Sequence, residues 1–583
     1  MTFSLNAPAT ILERKTILLL LLIFGSVFCS IEATAQRPNV VVVLSDNQSY
    51  WEVGYHGNDV IQTPNLDRFA SQSVDFTQFY TDPYCSPSRA SLLTGRRAMR
   101  MRVYDTIGGV SMLPNESTTI AELLRAEGYA TGIFGKWHLG DSYPLLPQQQ
   151  GFETVFMHGG GGVGQLPDYY GNTLFDTTFW ENDKPVHTDG FNTDVLFDRA
   201  MTFIEKHRDE PFFAFVSTPV THKPLAAPDA YKKPYKEKGI GGKAALYGQI
   251  TNLDDNMGRL LKQLNALNLA EDTIVVFMTD QAKGLRGAPE GIKKRAKGST
   301  GAMGWDHRLR VAFTVRYPER VEGDRVENTI ASSVDLLPTL AEWCGVSRKP
   351  QAGLDGRSLV PLLENPDADW SNRAIVIQCP RGRSPDKWKN ATVKTQHWRL
   401  VGKNKLFNAR RDPFQTNNVA DAHPEVLKRL RAKYESFWSE FNDDRPPLVR
   451  PVLGSPEQPE VRLVGMDWYK GDKPWTQGAL SGNQRGTWAV RVARAGRYRV
   501  ELRRYPREAD KPHLAEHAQL MVGGEKVRER EVDPGEKKVT FNVELPSGKT
   551  TIKSLFTVAN KEKFNSNRFS AYFAYVKWMG SGK

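Results

Sequence analysis

Apolar residues run almost unbroken through three short stretches, Val40-Val41-Val42-Val43-Leu44, Phe212-Phe213-Ala214-Phe215-Val216 and Thr273-Ile274-Val275-Val276-Phe277-Met278. Runs of this length, rich in β-branched and aromatic residues, predict strands buried on both faces, as in a parallel sheet. The first leads into Ser45-Asp46-Asn47 and the third into Thr279-Asp280-Gln281, so each delivers polar residues at a carboxyl end, where open α/β sheets place ligands. Between them the period becomes helical. Tyr247, Ile250, Leu253, Met257, Leu260, Leu261 and Leu264 form one stripe, and Thr119-Ile120-Ala121-Glu122 reads as a capping box opening a helix that Gly128 ends. This alternation predicts an α/β unit over 36–445, with a central, mostly parallel sheet covered by helices.

The texture changes beyond Arg445-Pro446-Pro447. A proline-rich stretch over 446–460 reads as a linker. After it, apolar and polar residues alternate in Trp488 to Val492, Tyr498 to Leu502, Val539 to Val543 and Ala571 to Trp578, with Gly and Pro turns between. That is the pattern of half-buried antiparallel strands and predicts an all-β, sandwich-like module over 461–583.

At the other end, Arg14-Lys15, an apolar run from Ile17 to Phe28 and Ala33-Thr34-Ala35 have the order of a signal peptide spanning 1–35. The run is short for a stable membrane span, so export to a periplasmic or extracellular location is expected. Removing that segment leaves Cys85, Cys344 and Cys379 of the four cysteines, too few for a disulfide framework. The net charge of +12 should steer polyanions toward the surface. Nucleic acid is not the expected partner, because no helix-turn-helix, zinc-finger or RNA-binding signature is present.

If the two acidic strand ends meet, Asp46, Asn47, Asp280 and Gln281 offer oxygen ligands only, which suits a hard cation such as calcium rather than zinc. Asn47 and Gln281 have a second reading as loop caps. The run His158-Gly159-Gly160-Gly161-Gly162-Val163-Gly164 lacks the Lys-Ser/Thr of a phosphate loop, and reads as a flexible loop or as one that shapes a pocket. Trp468, Trp475 and Trp488 are either core of the β-module or faces on which sugars stack.

One segment narrows the chemistry further. Cys85-Ser86-Pro87-Ser88-Arg89-Ala90-Ser91-Leu92-Leu93-Thr94-Gly95-Arg96 resembles the signature of type I sulfatases, in which the cysteine is oxidised to formylglycine. Gly135-Lys136-Trp137-His138-Leu139-Gly140 resembles the second signature of that family, and Thr221-His222-Lys223-Pro224-Leu225 and Lys297-Gly298-Ser299-Thr300 resemble two further segments. Segments around Asp335, Trp398 and Arg411 extend the resemblance to about residues 38 to 440. It implies the alkaline-phosphatase-like α/β fold. It further implies a calcium ion on Asp46, Asn47, Asp280, Gln281 and residue 85, and substrate groups at Arg89, Lys136, His138, His222 and Lys297.

By the same resemblance His222 serves as general acid and His138 assists the second step. Two departures stand out. The calcium set has amides at Asn47 and Gln281 where the family most often has Asp and Asn or His, and the segment after Lys297 reads Trp305-Asp306-His307-Arg308-Leu309-Arg310-Val311-Ala312 where the family usually has aromatic-Glu-Gly-Gly-x-Arg-x-Pro, so two glycines are gone. Lys297 therefore also reads as one charge of a solvated basic loop. The implied activity is hydrolysis of sulfate esters, with a sulfated polysaccharide or glycan as substrate and a formylglycine-generating enzyme as partner in maturation. A phosphodiester or phosphonate ester hydrolase of the same fold and a non-catalytic glycan-binding protein are the rival readings.

Overall fold

The three apolar runs form neighbouring strands at the centre of one sheet, as a computed structural model of the chain shows. Besides the first two residues, the structure describes residues 37–299, 303–348, 350, 353–370, 373–443, 446–558 and 567–581. The signal-peptide reading therefore falls on residues that lie outside the described ones, as does Thr300.

The central sheet has ten strands, in the order Arg325–Glu327, Val74–Phe76, Phe313–Arg316, Thr273–Thr279, Asn39–Ser45, Phe212–Ser217, Ala130–Gly135, Thr154–Met157, Thr178–Glu181 and Lys184–His187. The middle five are mutually parallel, and Phe313–Arg316 and Thr178–Glu181 run antiparallel to their inner neighbours on either side. Alternate residues of the central strands enter two separate cores. Val40, Val42, Phe213, Phe215, Ile274 and Val276 pack with Leu92, Leu123 and Leu340, whereas Val41, Val43, Phe212, Ala214, Val275 and Phe277 pack with Leu196, Leu253 and Met257. Burial on both faces is why these strands are apolar without alternation.

The covering helices follow the sequence pattern. The stripe from Tyr247 belongs to the helix Ala244–Ala266. Ile120–Ala126 opens on the complete capping box, Glu122 N–H donating to Thr119 Oγ1 at 3.1 Å and Thr119 N–H to Glu122 Oε2 at 2.8 Å. A four-stranded antiparallel sheet, Ile375–Gln378 to Lys405–Asn408, with the helix Pro424–Asp443, completes the α/β part. No helix among the described residues is long and apolar enough to cross a membrane.

The C-terminal residues form two mainly antiparallel sheets around one core. One sheet has Glu460–Val464, Phe573–Gly580, Gly496–Arg503 and Val539–Leu545, and the other is built on Gly486–Val492, Gly548–Thr557, His517–Val522 and Glu525–Glu531. Trp468 and Trp488 are buried in that core, 5.9 Å apart between ring centroids, so they stack on no ligand. Two residues of the α/β part, Ile107 and Leu166, complete the same core.

The stretch 446–460 is bonded on both sides rather than free. Val452–Leu453 pairs with Gly486–Val492, while Val452 N–H donates to Tyr143 O at 2.9 Å and Arg102 Nη1 to Pro446 O at 3.0 Å. Contacts accordingly join Asn39–Lys583 into one unit. Cys85, Cys344 and Cys379 are free and buried.

Candidate active site

Register brings the polar residues together. Ser45 lies opposite Thr279, Leu44 opposite Ser217, and Gly135 opposite Ser217, so Asp46, Asp280, Lys136 and Thr218 leave four adjacent strands at one edge. Cys85 is the first residue of the helix Cys85–Thr94, every residue of which is buried. Gly95 ends that helix in the left-handed region, φ +65°, where its N–H closes onto Ser91 O.

Around Cys85 the side chains interlock. The thiol donates to Asp46 Oδ1 at 3.4 Å and accepts from Gln281 Nε2 at 2.7 Å. Lys136 Nζ sits 2.5 Å from Asp46 Oδ2, and Arg89 Nε 3.1 Å from Asp280 Oδ2. Arg89 Nη1 is tied to Lys136 O and Ser217 Oγ. Asn47, at φ +66°, donates its N–H to Asp280 Oδ1 at 3.1 Å. The predicted metal residues Asp46, Asn47, Asp280, Gln281 and Cys85 thus converge, together with Arg89 and Lys136.

The two predicted histidines are held by backbone carbonyls, which only accept. His138 Nε2–H therefore donates to Thr106 O at 3.0 Å, and His222 Nδ1–H to Lys223 O at 2.6 Å. That leaves Nδ1 of His138 and Nε2 of His222 as the basic atoms. Burial, and then the charges of Lys136 and Arg89, hold His138 well below its usual range, so it is neutral at pH 7. Gly161 lies on the His138 ring and Gly162 on His222, so the glycine run is the pocket-shaping loop of its two readings.

Lys297 is not brought in. It is exposed beyond the short helix Glu290–Arg295, and among the described residues no hydrogen bond or ion pair joins it to Cys85, Asp46 or Asp280. Lys283, which the sequence reasoning missed, acts on Cys85, Asp46 and Asp280 by its charge, and burial lowers its pKa. Counting two residues past Gln281 at the strand exit would have found it. Arg286 was missed too. It links Glu52 Oε1 at 2.6 Å, Asn47 O at 2.6 Å and Thr221 Oγ1 at 2.7 Å, tying the loop after Thr279 to the loop after Ser45. No signal in the sequence marks that pair, because its partners are remote along the chain.

In the segment after Lys297, Asp306, at the position of the family's Glu, has a structural role. Asp306 is buried against Arg399 at 3.0 Å and Tyr80 Oη at 2.8 Å, and also pairs with Lys394. It neutralises two cations, Lys394 and Arg399, that would otherwise be buried unpaired.

Several buried polar atoms here have no partner among the described residues: Asn47 Oδ1, Arg89 Nη2, His138 Nδ1, His158 Nε2 and Gln165 Nε2. Unsatisfied groups at such density mark a ligand or ion site. Asp46, Cys85 and Asp280 each offer an atom within 4.8 Å of the others, and burial together with the charge of Asp46 pushes Asp280 upward. Two carboxylates and an orphaned amide oxygen fit a hard divalent cation. The cysteine itself is a poor nucleophile, because burial and Asp46 push its thiol up to about 12.

A profile of the family described as Sulfatase matches residues 38–346, more than half of the chain. The chain belongs to the sulfatase family. A second profile, for the C-terminal part of N-sulphoglucosamine sulphohydrolase, matches 302–439. The sulfatase is 29% identical to an ulvan-active sulfatase of Formosa agariphila over 446 residues, covering 70% of this chain and 82% of that one. It is 32% identical to human arylsulfatase A over 363 residues, covering 57% and 68%. Among solved structures, Ps i-CgsB in complex with k-i-k-neocarrahexaose superposes with a TM-score of 0.61 at 26% identity, over 70% of this chain and 94% of that one. The protein is a sulfuric ester hydrolase of the alkaline-phosphatase-like fold, with C-terminal antiparallel sheets added.

Proposed function

We propose that the protein is an exported sulfatase that removes sulfate from a sulfated polysaccharide or glycan, using formylglycine made from Cys85 and a calcium ion. The carrying observation is the convergence of residue 85, two buried carboxylates and the orphaned Asn47 Oδ1, Arg89 Nη2 and His138 Nδ1 at one sheet edge. The substrate class rests on the relatives named for ulvan and neocarrahexaose, and on the net charge of +12, which attracts polyanions.

Asp46, Asn47, Asp280 and Gln281 would hold the calcium, which supplies charge stabilisation at a sulfate oxygen. An aldehyde at position 85, as its hydrate, would supply one hydroxyl for attack on sulfur and a second that, on losing its proton, re-forms the carbonyl and expels sulfate together with the first oxygen. The chain's own groups do the rest. Arg89, Lys136 and Lys283 offset the charge on the sulfate oxygens. His222, once protonated at Nε2, would give that proton to the bridging oxygen of the leaving alcohol. His138, its Nε2–H fixed by Thr106, takes a proton at Nδ1.

The test is the mass of the peptide containing residue 85 from protein made in its native cell, followed by a screen of sulfated glycans with added calcium. Conversion of the thiol side chain to an aldehyde, with desulfation of a glycan, is the expected result. An unmodified cysteine in folded protein that still turns over sulfate esters would sink the formylglycine reading. Leader cleavage after Ala35 is checked on the same sample by the N-terminal peptide.

A further inference from the structure

The C-terminal module reaches the site through one segment. Trp475 O accepts from Leu166 N–H at 3.0 Å, Thr476 bridges to Gln165, and Gln477 N–H donates to Gly164 O at 3.1 Å. These partners belong to the loop whose Gly161 and Gly162 lie on His138 and His222, and the orphaned Gln165 Nε2 faces the same place as His222 Nδ1. Trp475 is half-buried, unlike Trp468 and Trp488.

Arg381 lies between the module and the reacting residue. Its guanidinium is 4.3 Å from the ring centroid of Tyr84, the residue before Cys85, and 5.8 Å from that of Trp475. Buried Asp105 holds Arg381 Nε at 3.5 Å and Lys473 Nζ, from the module, at 3.0 Å. One carboxylate against two cations leaves a net positive charge beside a half-exposed indole. Asp105 also adjoins Thr106, whose carbonyl fixes His138.

We propose that the module forms one wall of the substrate site, and that Trp475, Arg381, Lys473 and Tyr84 make a subsite for an anionic saccharide unit next to the one that loses sulfate. This rests on the glycan reading above. A pyranose ring packs its C–H face on Trp475, and its sulfate or carboxylate lies between Arg381 and Lys473. Gln165 Nε2 donates to a sugar oxygen beside His222. Specificity for a chain over an isolated sulfated sugar then resides in residues 473–477.

The test uses the full chain carrying Cys85→Ala, which binds without turnover, and titrates ulvan-derived and carrageenan-derived tetrasaccharides by calorimetry. Adding Trp475→Ala should raise Kd at least about tenfold, whereas Trp475→Phe, which keeps an aromatic face, should raise it less than about threefold. Arg381→Met, which leaves the indole in place, should raise Kd and flatten the salt dependence of binding. A Kd unchanged by both Trp475→Ala and Arg381→Met overturns the subsite while leaving the glycan reading intact. Failure of the Cys85→Ala parent to bind any tetrasaccharide, with wild-type protein still hydrolysing 4-nitrophenyl sulfate, overturns the glycan reading and the subsite with it.

Discussion

Gly161 lies flat against His138, so closely that a Cβ at position 161 would fall 2.1 Å from Cε1 and 2.3 Å from Nδ1 of the imidazole. Nδ1 is the atom that Thr106 leaves free, so the contact guards the basic lone pair. Gly161→Ala must displace the ring or the loop. Turnover of a sulfate ester should fall about 100-fold or more, with a far smaller change in the thermal midpoint, because the added methyl meets the His138 ring rather than a hydrophobic core side chain. Loss of folding instead of turnover would show that the loop holds the module in place.

The proposed calcium set is short of charge. Its two carboxylates face Arg89, Lys136 and Lys283, and two of its ligands are neutral amides. Asn47→Asp keeps the φ of +66°, which Asp tolerates as Asn does, and adds a carboxylate at the orphaned oxygen. Calcium affinity measured by calorimetry should rise about tenfold or more, and chelation should inactivate the variant more slowly than the wild type. An unchanged affinity would mean that the side chain at 47 does not touch the ion.

Lys283 and Lys297 make opposite predictions. Lys283→Met should lower kcat/KM for a sulfate ester about 100-fold, because its charge acts on Cys85, Asp46 and Asp280. Lys297→Met, on the exposed loop, should change it less than about threefold. Steady-state kinetics on both variants decide the matter, and the reverse ranking would return the role to Lys297.

The central sheet was legible because its strands are buried on both faces and leave a continuous apolar run, and the strand ends carried Asp46 and Asp280 with them. Cys85, Arg89, Lys136 and His138 were legible as short contiguous motifs. Lys283, Arg286 and Glu52 were not, because their roles arise from loops brought together across the sheet edge. The module is continuous with the α/β part for a related reason. Its prolines and alternating strands advertise a boundary, but Ile107 and Leu166, remote in sequence, fill its core.

That module also has its own charge centre. Glu501 accepts from Arg503 Nε at 2.7 Å and from Arg507 Nε at 3.0 Å, with both guanidinium groups contributed by the next few residues. Burial alone would raise its pKa, but the hydrogen bonds and charges of Arg507 and Arg503 outweigh it and bring Glu501 down to about 2 from 4.5. A folded-state pKa below the unfolded one means that the unfolded chain binds the proton first. The stabilisation is therefore complete above pH 4.5 and fades as pH falls toward 2. Glu501→Gln should lower stability by about 1–2 kcal/mol at pH 7, with the gap in thermal midpoint narrowing steadily between pH 4.5 and 3. A gap of equal size at pH 3 and pH 7 would show that Glu501 acts through shape and neutral hydrogen bonds, and that its charge contributes nothing to holding the strand Gly496–Arg503 against the turn that follows it.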